Sequence, residues 1–295
     1  MSSWIRLAQV VAIVFCVAGL GHGLARGSGT ALSSGQQTVK PRVPFRVPSD
    51  NELRDSGYRA AALRGRAILL ATRDSLPRNV GNALRCASCH LDGGLRKNAM
   101  PWVGSYSRFP QYRARSGKVD LIEDRINDCF RRSLNGRALE PAGRDMRDIV
   151  AYLAFLSTGI PVGQEMDGAG LPRLLPMNGS AARGSALFAT TCTRCHGATG
   201  QGTAVAPPLW GPRSYNVGAG MANIITAASF IYQLMPIDRA QQLTPQQAFD
   251  VATYINTRPR PDFAGKSRDW PHGGKPAAAE YHVLPHPTLP KEKSP

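Results

Sequence analysis

Cys86-Ala87-Ser88-Cys89-His90 and Cys192-Thr193-Arg194-Cys195-His196 are the two most informative segments of the sequence. Both have the spacing Cys-x-x-Cys-His, which marks covalent attachment of a c-type haem. The two thiols bond to the vinyl groups of the porphyrin, and the adjacent imidazole binds the iron as the proximal ligand. A zinc site and a redox cysteine pair are the alternatives, but zinc ribbons do not require a histidine after each cysteine pair. The sequence therefore predicts two covalently bound haem c groups.

Similar residues surround the two motifs, which indicates duplicated domains. The matching segments are Arg64-Gly65-Arg66-Ala67 and Arg183-Gly184-Ser185-Ala186 before the motifs, Trp102-Val103-Gly104 and Leu209-Trp210-Gly211 after them, and the closing segments Asp148-Ile149-Val150-Ala151-Tyr152 and Asp250-Val251-Ala252-Thr253-Tyr254. Apolar residues there recur at steps of three and four, as a helix with one buried face requires. No alternating run is long enough to suggest a sheet. We expect an all-α fold of two tandem class I cytochrome c domains, each wrapped around one haem.

The length of 295 residues also fits about two domains. Composition places the boundaries, because Gly and Pro are frequent between the halves and Pro and Lys near the end. The expected order is a signal peptide (1–25), a leader (26–48), the N-terminal cytochrome c domain (49–163), a linker (164–182), the C-terminal cytochrome c domain (183–262) and a Pro-rich tail (263–295). We expect that tail to lie on the surface or to be disordered.

The N-terminus predicts export to the periplasm. Arg6 precedes an apolar run over residues 7–20, and small residues follow it, as in a Sec-type signal peptide. The run is shorter than the roughly 20 apolar residues that span a bilayer. We therefore expect no membrane span in the mature chain, although an uncleaved signal would remain as an anchor.

The net charge of +16 indicates an anionic partner. Nucleic acid, anionic lipid, an acidic protein and a small anion all satisfy that charge. An exported haem protein does not meet nucleic acid, so nucleic acid is not an expected partner.

The sixth iron ligand of the second half is expected to be Met235. It lies 39 residues after His196 and precedes Pro236, whereas the competing Met221 lies 25 residues after that histidine. Methionine is a common partner of histidine in cytochromes c. The remaining candidates, His272, His282 and His286, fall in the predicted tail. We also expect the loop over residues 206–209 to orient the His196 ring through a backbone carbonyl.

Cys129 lies 39 residues after His90 and so occupies the same offset in the first half. A buried free thiol and an intermolecular disulfide are the alternatives for this cysteine. Met100 and Met146 are the other possible ligands, but Met100 is only ten residues from His90 and Met146 begins a predicted helix. A thiolate ligand stabilises ferric iron, so the first haem would have the lower potential and the Met-ligated second haem the higher one.

Arginines are dense around Cys129. They are Arg108, Arg113, Arg115, Arg125, Arg131, Arg132 and Arg137. Guanidinium groups form forked hydrogen bonds with oxyanions, and a cluster raises the local concentration of small anions. The cluster beside the expected Cys-ligated haem favours an anionic substrate.

These segments resemble the thiosulfate dehydrogenases, dihaem enzymes that join two thiosulfates into tetrathionate. The resemblance rests on residues 86–94, 102–104, 109–115 (FPQYRAR), 124–136 (DRINDCFRRSLNG), 152–157, 161–163, 215–221 (YNVGAGM) and 230–236 (FIYQLMP). It implies that Cys129 ligates the active-site haem and that Arg115, Arg125 and Ser133 hold thiosulfate. It also implies that Met235 ligates the second haem.

The resemblance implies an enzyme whose two electrons leave through the second haem to an external acceptor, such as another cytochrome c. Some members place a Lys before the ligand Met as an alternative ligand, but this chain has Leu234 there. A pure dihaem electron carrier and a Sox-type cytochrome, which joins thiosulfate to a carrier protein, are the rival functions. We further hypothesise that Cys129 leaves the iron and bonds transiently to one thiosulfate.

Overall fold

The computed structural model of the protein describes residues 42–279 and 281. Within them the α-helices are α1 (Ser56–Leu70), α2 (Thr72–Ser75), α3 (Leu91–Gly94), α4 (Ile122–Arg132), α5 (Arg144–Phe155), α6 (Ala181–Thr191), α7 (Thr193–His196), α8 (Ile224–Leu234) and α9 (Pro245–Asn256). The strands are β1 (Gln111–Arg113) and β2 (Lys118–Asp120). None of the helices in this described part is long and apolar enough to cross a bilayer. The mainly helical architecture of two cytochrome c domains confirms the predicted fold class.

A pair of crossing helices supports each half, α1 with α5 in the first and α6 with α9 in the second. A glycine lies at each crossing point. A Cβ atom on Gly65 would lie 1.9 Å from the carbonyl oxygen of Asp148, and one on Gly184 would lie 2.0 Å from that of Asp250. Any larger residue would push the helices apart, because these distances are far below van der Waals contact. This explains why the Arg-Gly segments repeat.

An ion pair accompanies each crossing. Arg64 contacts the Asp148 carboxylate in the first half, and Arg183 donates two hydrogen bonds, of 2.7 and 2.8 Å, to Asp250 in the second. Both carboxylates are buried and each ties the two helices of its pair together. The second closing helix begins with Thr244 as N-cap in a capping box and with a proline at the first helical position.

A tryptophan loop follows each haem-binding motif. Trp102 packs directly on Gly94 and Trp210 on Gly200; both glycines have positive φ, and a side chain there would overlap the indole ring. Each tryptophan also packs edge to face on a tyrosine of the closing helix. The ring centroids are 6.4 Å apart in the first half, where the tyrosine is Tyr152, and 5.7 Å apart in the second, where it is Tyr254. The repeats found in the sequence therefore describe the same local structure twice.

The two halves share apolar surfaces. A small cluster joins Leu91 and Ala99 of the first half to Phe230 and Leu234 of the second. Met221 packs against this cluster and against the main core of each half. The halves are consequently packed on each other.

The segment predicted as a linker has no helix or strand before α6, but it is packed. Met166 is buried in the core of the first half. The carbonyl oxygen of Gly170 accepts a hydrogen bond of 2.7 Å from the Met100 amide, and the Leu174 amide donates one of 3.0 Å to the Ser229 hydroxyl. The connection therefore lies against both halves.

A hairpin and a packed C-terminal segment depart from the sequence-based expectations. β1 and β2 pair antiparallel, and three-residue strands are too short to show a periodic pattern. The predicted tail is folded over its described part, where Trp270 and Tyr281 are buried. The expected signal peptide and most of the leader lie outside the described residues.

Candidate functional site

The two proximal histidines are held in the same way. The Nδ1 atom of His90 lies 2.5 Å from the carbonyl oxygen of Met100, and that of His196 lies 2.9 Å from the carbonyl oxygen of Pro207. A carbonyl only accepts, so Nδ1 carries the proton and Nε2 keeps its lone pair for a metal. The contact of His196 with the 206–209 loop confirms the orientation predicted from the sequence.

Burial keeps both imidazoles neutral. Burial lowers the pKa of His90 to about 4. The hydrogen bond to the Met100 carbonyl raises that pKa by a smaller amount, and the charge of Arg125 lowers it further. Burial also lowers the pKa of His196, against a smaller raising effect of the Pro207 carbonyl. Neutral imidazole is the form that binds iron.

The surroundings of the attachment cysteines fit thioether bonds to a porphyrin. Burial raises the pKa of Cys86 and of Cys89 to about 12, and that of Cys192 to about 11. A zinc site needs thiolates, which these apolar surroundings oppose. A thioether has no proton to lose and tolerates such burial. The described cysteines, including Cys195, are all free of disulfides.

A large cavity adjoins the second motif. Its volume is about 1090 Å³, and its lining includes Cys192, Cys195 and His196 together with Met221 and Met235. It exceeds the usual 300–1,000 Å³ of a small-molecule site. Its apolar walls and its position beside the attachment residues fit a haem.

Both methionines proposed as sixth ligands reach this cavity. Met235 directly follows α8, and Met221 belongs to a 3-10 turn, so neither is confined to the interior of a helix. Leu234, the position where some thiosulfate dehydrogenases have Lys, is buried between the two halves. The assignment of Met235 remains a prediction.

The wall of the same cavity includes residues of the first motif. Ala87, Ser88 and Cys89 line it beside the residues of the second motif. The two attachment sites are therefore neighbours, and short distances between redox centres favour electron transfer.

Cys129 lies in the last turn of α4, and its sulfur accepts a hydrogen bond of 2.7 Å from Nη1 of Arg125. One helical turn separates the two residues, so their side chains lie on one helix face. The charge of a Cys129 thiolate is the largest cause that raises the pKa of Arg125. The same charge contributes, after burial, to the raised pKa of Cys86 and of Cys89. Cys129 is thus within electrostatic reach of the first attachment site, and its role as the sixth ligand stays a prediction.

The competing ligands of the first half have other roles. Met100 contributes its carbonyl to His90, on the proximal side. Met146 is fully buried in α5 and packs in the core of the first half. His272 is exposed, while His282 and His286 lie outside the described residues.

The arginine cluster divides into three groups. Arg108, Arg131 and Arg137 are exposed. Arg132 is buried and donates two hydrogen bonds of 2.7 Å to Asp269. Arg113, Arg115 and Arg125 are partly buried, and the charge of Arg125 contributes, after burial, to lowering the pKa of Arg113.

The remaining residues implied by the resemblance, Ser133 and Arg115, lie on different elements. Ser133 caps the C-terminus of α4, one turn after Cys129, with its carbonyl bonded to Asn82. Arg115 follows β1, and its Nη1 donates a hydrogen bond of 2.9 Å to the carbonyl oxygen of Gly218.

Sequence reasoning missed the partners that the C-terminal segment supplies to this site. Asp269 binds Arg132, and Trp270 stacks on Arg115 with 4.8 Å between the guanidinium carbon and the ring centroid. A tryptophan inside a Pro-rich tail was the available signal, since such a large apolar ring is seldom left in water.

Both halves of this chain are similar in sequence to known protein families. Residues 78–162 match the family described as SoxA/TsdA, cytochrome c domain, and residues 181–259 match the family described as Cytochrome c. A thiosulfate dehydrogenase from Psychrobacter arcticus is 41% identical over 254 residues, covering 84% of this chain and 78% of that protein. One from Allochromatium vinosum is 45% identical over 240 residues, covering 78% of this chain and 89% of that protein.

A solved structure is similar over the same region. The "as isolated" form of the thiosulfate dehydrogenase TsdBA from Marichromatium purpuratum has a TM-score of 0.70 and 40% identity, covering 74% of this chain. The match spans half the length of that chain. The likeness thus includes sequence and three-dimensional structure together.

Proposed function

Because this chain belongs to the thiosulfate dehydrogenase family and carries two haem c groups, we propose that it joins two thiosulfates into tetrathionate. The main structural support for this proposal is the hydrogen bond of 2.7 Å from the Arg125 guanidinium to the Cys129 sulfur beside the first attachment site. A sulfur nucleophile next to a fixed positive charge suits a reaction between sulfur anions.

The residues that would hold the two groups follow from the site. Cys86, Cys89, His90 and Cys129 would hold the first, and Cys192, Cys195, His196 and Met235 the second. When bound, the haems supply two one-electron redox centres, enough for the two electrons that sulfur–sulfur coupling releases.

Positive charge addresses the main obstacle to this coupling. Two thiosulfate dianions repel each other, so they approach closely only where cations offset their charge. Arg125 is already aimed at the Cys129 sulfur, and Arg113 and Arg115 lie on or next to β1. In this proposal Arg125, Arg115 and the Ser133 hydroxyl bind the sulfonate oxygens.

Cys129 would form the covalent bond. Its thiolate, once released from the first haem, would bond to the outer sulfur of one thiosulfate, giving a cysteine S-thiosulfonate and two electrons that the two haem c groups would accept. The second thiosulfate attacks that outer sulfur, the bond to the Cys129 sulfur breaks, and tetrathionate leaves as the thiolate returns. The positive charge of Arg125 stabilises the thiolate as the leaving group.

The test is to incubate purified holoprotein with thiosulfate and ferricyanide and to quantify tetrathionate. We expect one tetrathionate for every two ferricyanide ions reduced. A pure electron carrier would not be reduced by thiosulfate alone, and a Sox-type cytochrome would release no free tetrathionate. A Cys129→Gly variant that kept both haems and full turnover would contradict the role of Cys129.

Export and the external acceptor complete the proposal. The basic start and short apolar run of the sequence support a periplasmic location, and the net charge of +16 supports an acidic acceptor protein such as another cytochrome c. Cell fractionation tests the location. A reduction rate that falls with rising ionic strength would support the acidic acceptor.

A further inference from the structure

The described C-terminal residues 262–279 and 281, here called the C-terminal brace, pack against the half that contains Cys129. Trp270, Ala279 and Tyr281 are buried together with Val217 beside them. The Trp270 amide donates a hydrogen bond of 2.8 Å to the backbone carbonyl of Arg115. The brace therefore reaches the segment that carries a proposed thiosulfate-binding arginine.

The brace also holds the Arg115 side chain. The Trp270 ring lies under the guanidinium, with 4.8 Å to the ring centroid, and the Asp269 carboxylate lies 3.9 Å from Nε. On a further side, the Gly218 carbonyl accepts from Nη1. These contacts restrict a side chain that would otherwise lose considerable rotamer freedom on binding a ligand.

Asp269 connects Arg115 to the helix of Cys129. Its two carboxylate oxygens accept hydrogen bonds of 2.7 Å from Arg132, which lies three residues after Cys129 in α4. Tyr281 donates a further hydrogen bond to the same carboxylate. The Asp269 carboxylate is buried. It lies between the Arg132 side chain and the Arg115 side chain and contacts both.

This arrangement keeps Arg115 available to an anion. Asp269 pairs mainly with Arg132, as the distances of 2.7 and 3.9 Å show. Among the described residues, the hydrogen bond of Arg115 to protein uses Nη1, and Nη2 has no such partner. A guanidinium anchored along one edge can still offer its other edge to an oxyanion.

We propose that Asp269 and Trp270 are positioning residues, which fix the Arg115 guanidinium relative to Cys129 so that it binds thiosulfate. The proposal rests on the proposed function, because it assigns a role to residues that act through Arg115. Fixing the group before binding lowers the entropic cost of holding the substrate.

The experiment is a double-mutant cycle on the full-length holoprotein, with KM for thiosulfate as the readout. We expect Arg115→Lys, Asp269→Asn and Trp270→Leu each to raise KM about tenfold, which is less than the roughly 10²-fold that a misplacement of about 1 Å can cost. Asp269→Asn should add less than about twofold in the Arg115→Lys background, because residues that act through one group are not additive.

The matched control is Asp250→Asn, which breaks a similar two-bond pair with Arg183 in the other half. It should lower the melting temperature and leave KM unchanged, as a purely structural pair would. Tyr281→Phe keeps the Asp269–Arg132 pair and provides a milder variant, with a rise in KM of about twofold expected from losing one hydrogen bond.

The outcomes separate the two proposals. If Arg115→Lys leaves KM unchanged, the thiosulfate-binding role of Arg115 fails and the positioning role fails with it. If Arg115→Lys raises KM but Asp269→Asn, Trp270→Leu and Tyr281→Phe only lower the melting temperature, the positioning role alone is overturned. Fully multiplicative KM effects in the double variant would also overturn it.

Discussion

The two halves have the same proximal side and different distal sides. Each holds its histidine through a backbone carbonyl, crosses two helices at a glycine and packs a tryptophan on a glycine turn. The candidates for the sixth iron ligand differ. In the first half Cys129 accepts a hydrogen bond from Arg125, and in the second half Met235 lines an apolar cavity. The same scaffold therefore presents a charged sulfur site in one half and an apolar methionine site in the other, and the difference lies in a few distal residues.

Replacing Cys129 with Met gives the first half the predicted ligand of the second and should have the largest effect. We expect turnover to fall at least about 10³-fold, because the variant loses the proposed nucleophile beside Arg125. The potential of the first haem should rise, since methionine favours ferrous iron. Thiosulfate-dependent ferricyanide reduction and a redox titration measure the two effects.

The control for this exchange is Cys129→Ser, which removes the soft sulfur but keeps a small polar side chain. It should be equally inactive. If the Met variant retained wild-type turnover, the distal difference between the halves would not be the source of activity.

The crossing glycines should be equally important in both halves. Gly65→Ala and Gly184→Ala should each lower the free energy of unfolding by about 3 kcal/mol or more, because the added Cβ would overlap a backbone carbonyl oxygen. Thermal or denaturant unfolding of the holoprotein measures this effect.

Gly57→Ala is the matched control, since it lies in the same helix as Gly65 and its Cβ would be 3.5 Å from the nearest atom. Alanine should be neutral there, or stabilising by up to about 1 kcal/mol through helix propensity. A large loss at only one of the two crossings would mean that the halves are not equivalent on the proximal side.

Much of the proximal side could be predicted from the sequence. The motifs, the Arg-Gly segments, the Trp-Gly segments and the capping box all consist of residues close together in the chain. Local patterns report such structure well, because period and capping depend on near neighbours.

The distal side of the first half could be predicted only in part. The offset and the helical spacing place Arg125 beside Cys129. The pairing of Arg132 with Asp269, 137 residues away, leaves no local pattern. Two arginines of the cluster, Arg115 and Arg132, therefore have contacts that composition could not reveal.

The methionine of the second half can be tested by a matched pair. Met235→Leu should lower turnover about tenfold, equivalent to about 1.4 kcal/mol in the barrier, because the second haem would lose its predicted ligand. Its potential should fall and the absorption band of Met-ligated ferric haem should disappear. Met221→Leu should change none of these quantities. The reverse result would assign the ligand to Met221.

The smallest expected effect concerns the ion pair of the second crossing. Asp250→Asn should lower the free energy of unfolding by about 1 kcal/mol at neutral pH, since Arg183 is largely exposed to water. Burial alone would raise the pKa of Asp250, but hydrogen bonds from Arg183, the Ser180 amide and Gln246 lower it overall.

The pH dependence follows from that direction. A carboxylate with a lowered pKa stabilises the fold above its unfolded pKa of about 3.9 and loses that contribution as pH falls through the folded pKa. The difference in melting temperature between wild type and Asp250→Asn should therefore shrink below about pH 4. A constant difference down to pH 2 would rule out this electrostatic origin.

The connection between the halves bears on the chemistry of the first iron. Gly170 accepts a hydrogen bond from the Met100 amide, and the carbonyl of that same methionine accepts one from His90. The two bonds use adjacent peptide groups that meet at the Met100 Cα, so the first helps to fix the position of the carbonyl that orients His90. The way in which the imidazole is held is thus linked to the conformation of an interdomain segment. Changes of length there would alter the setting of His90, even though they replace no residue of the haem crevice.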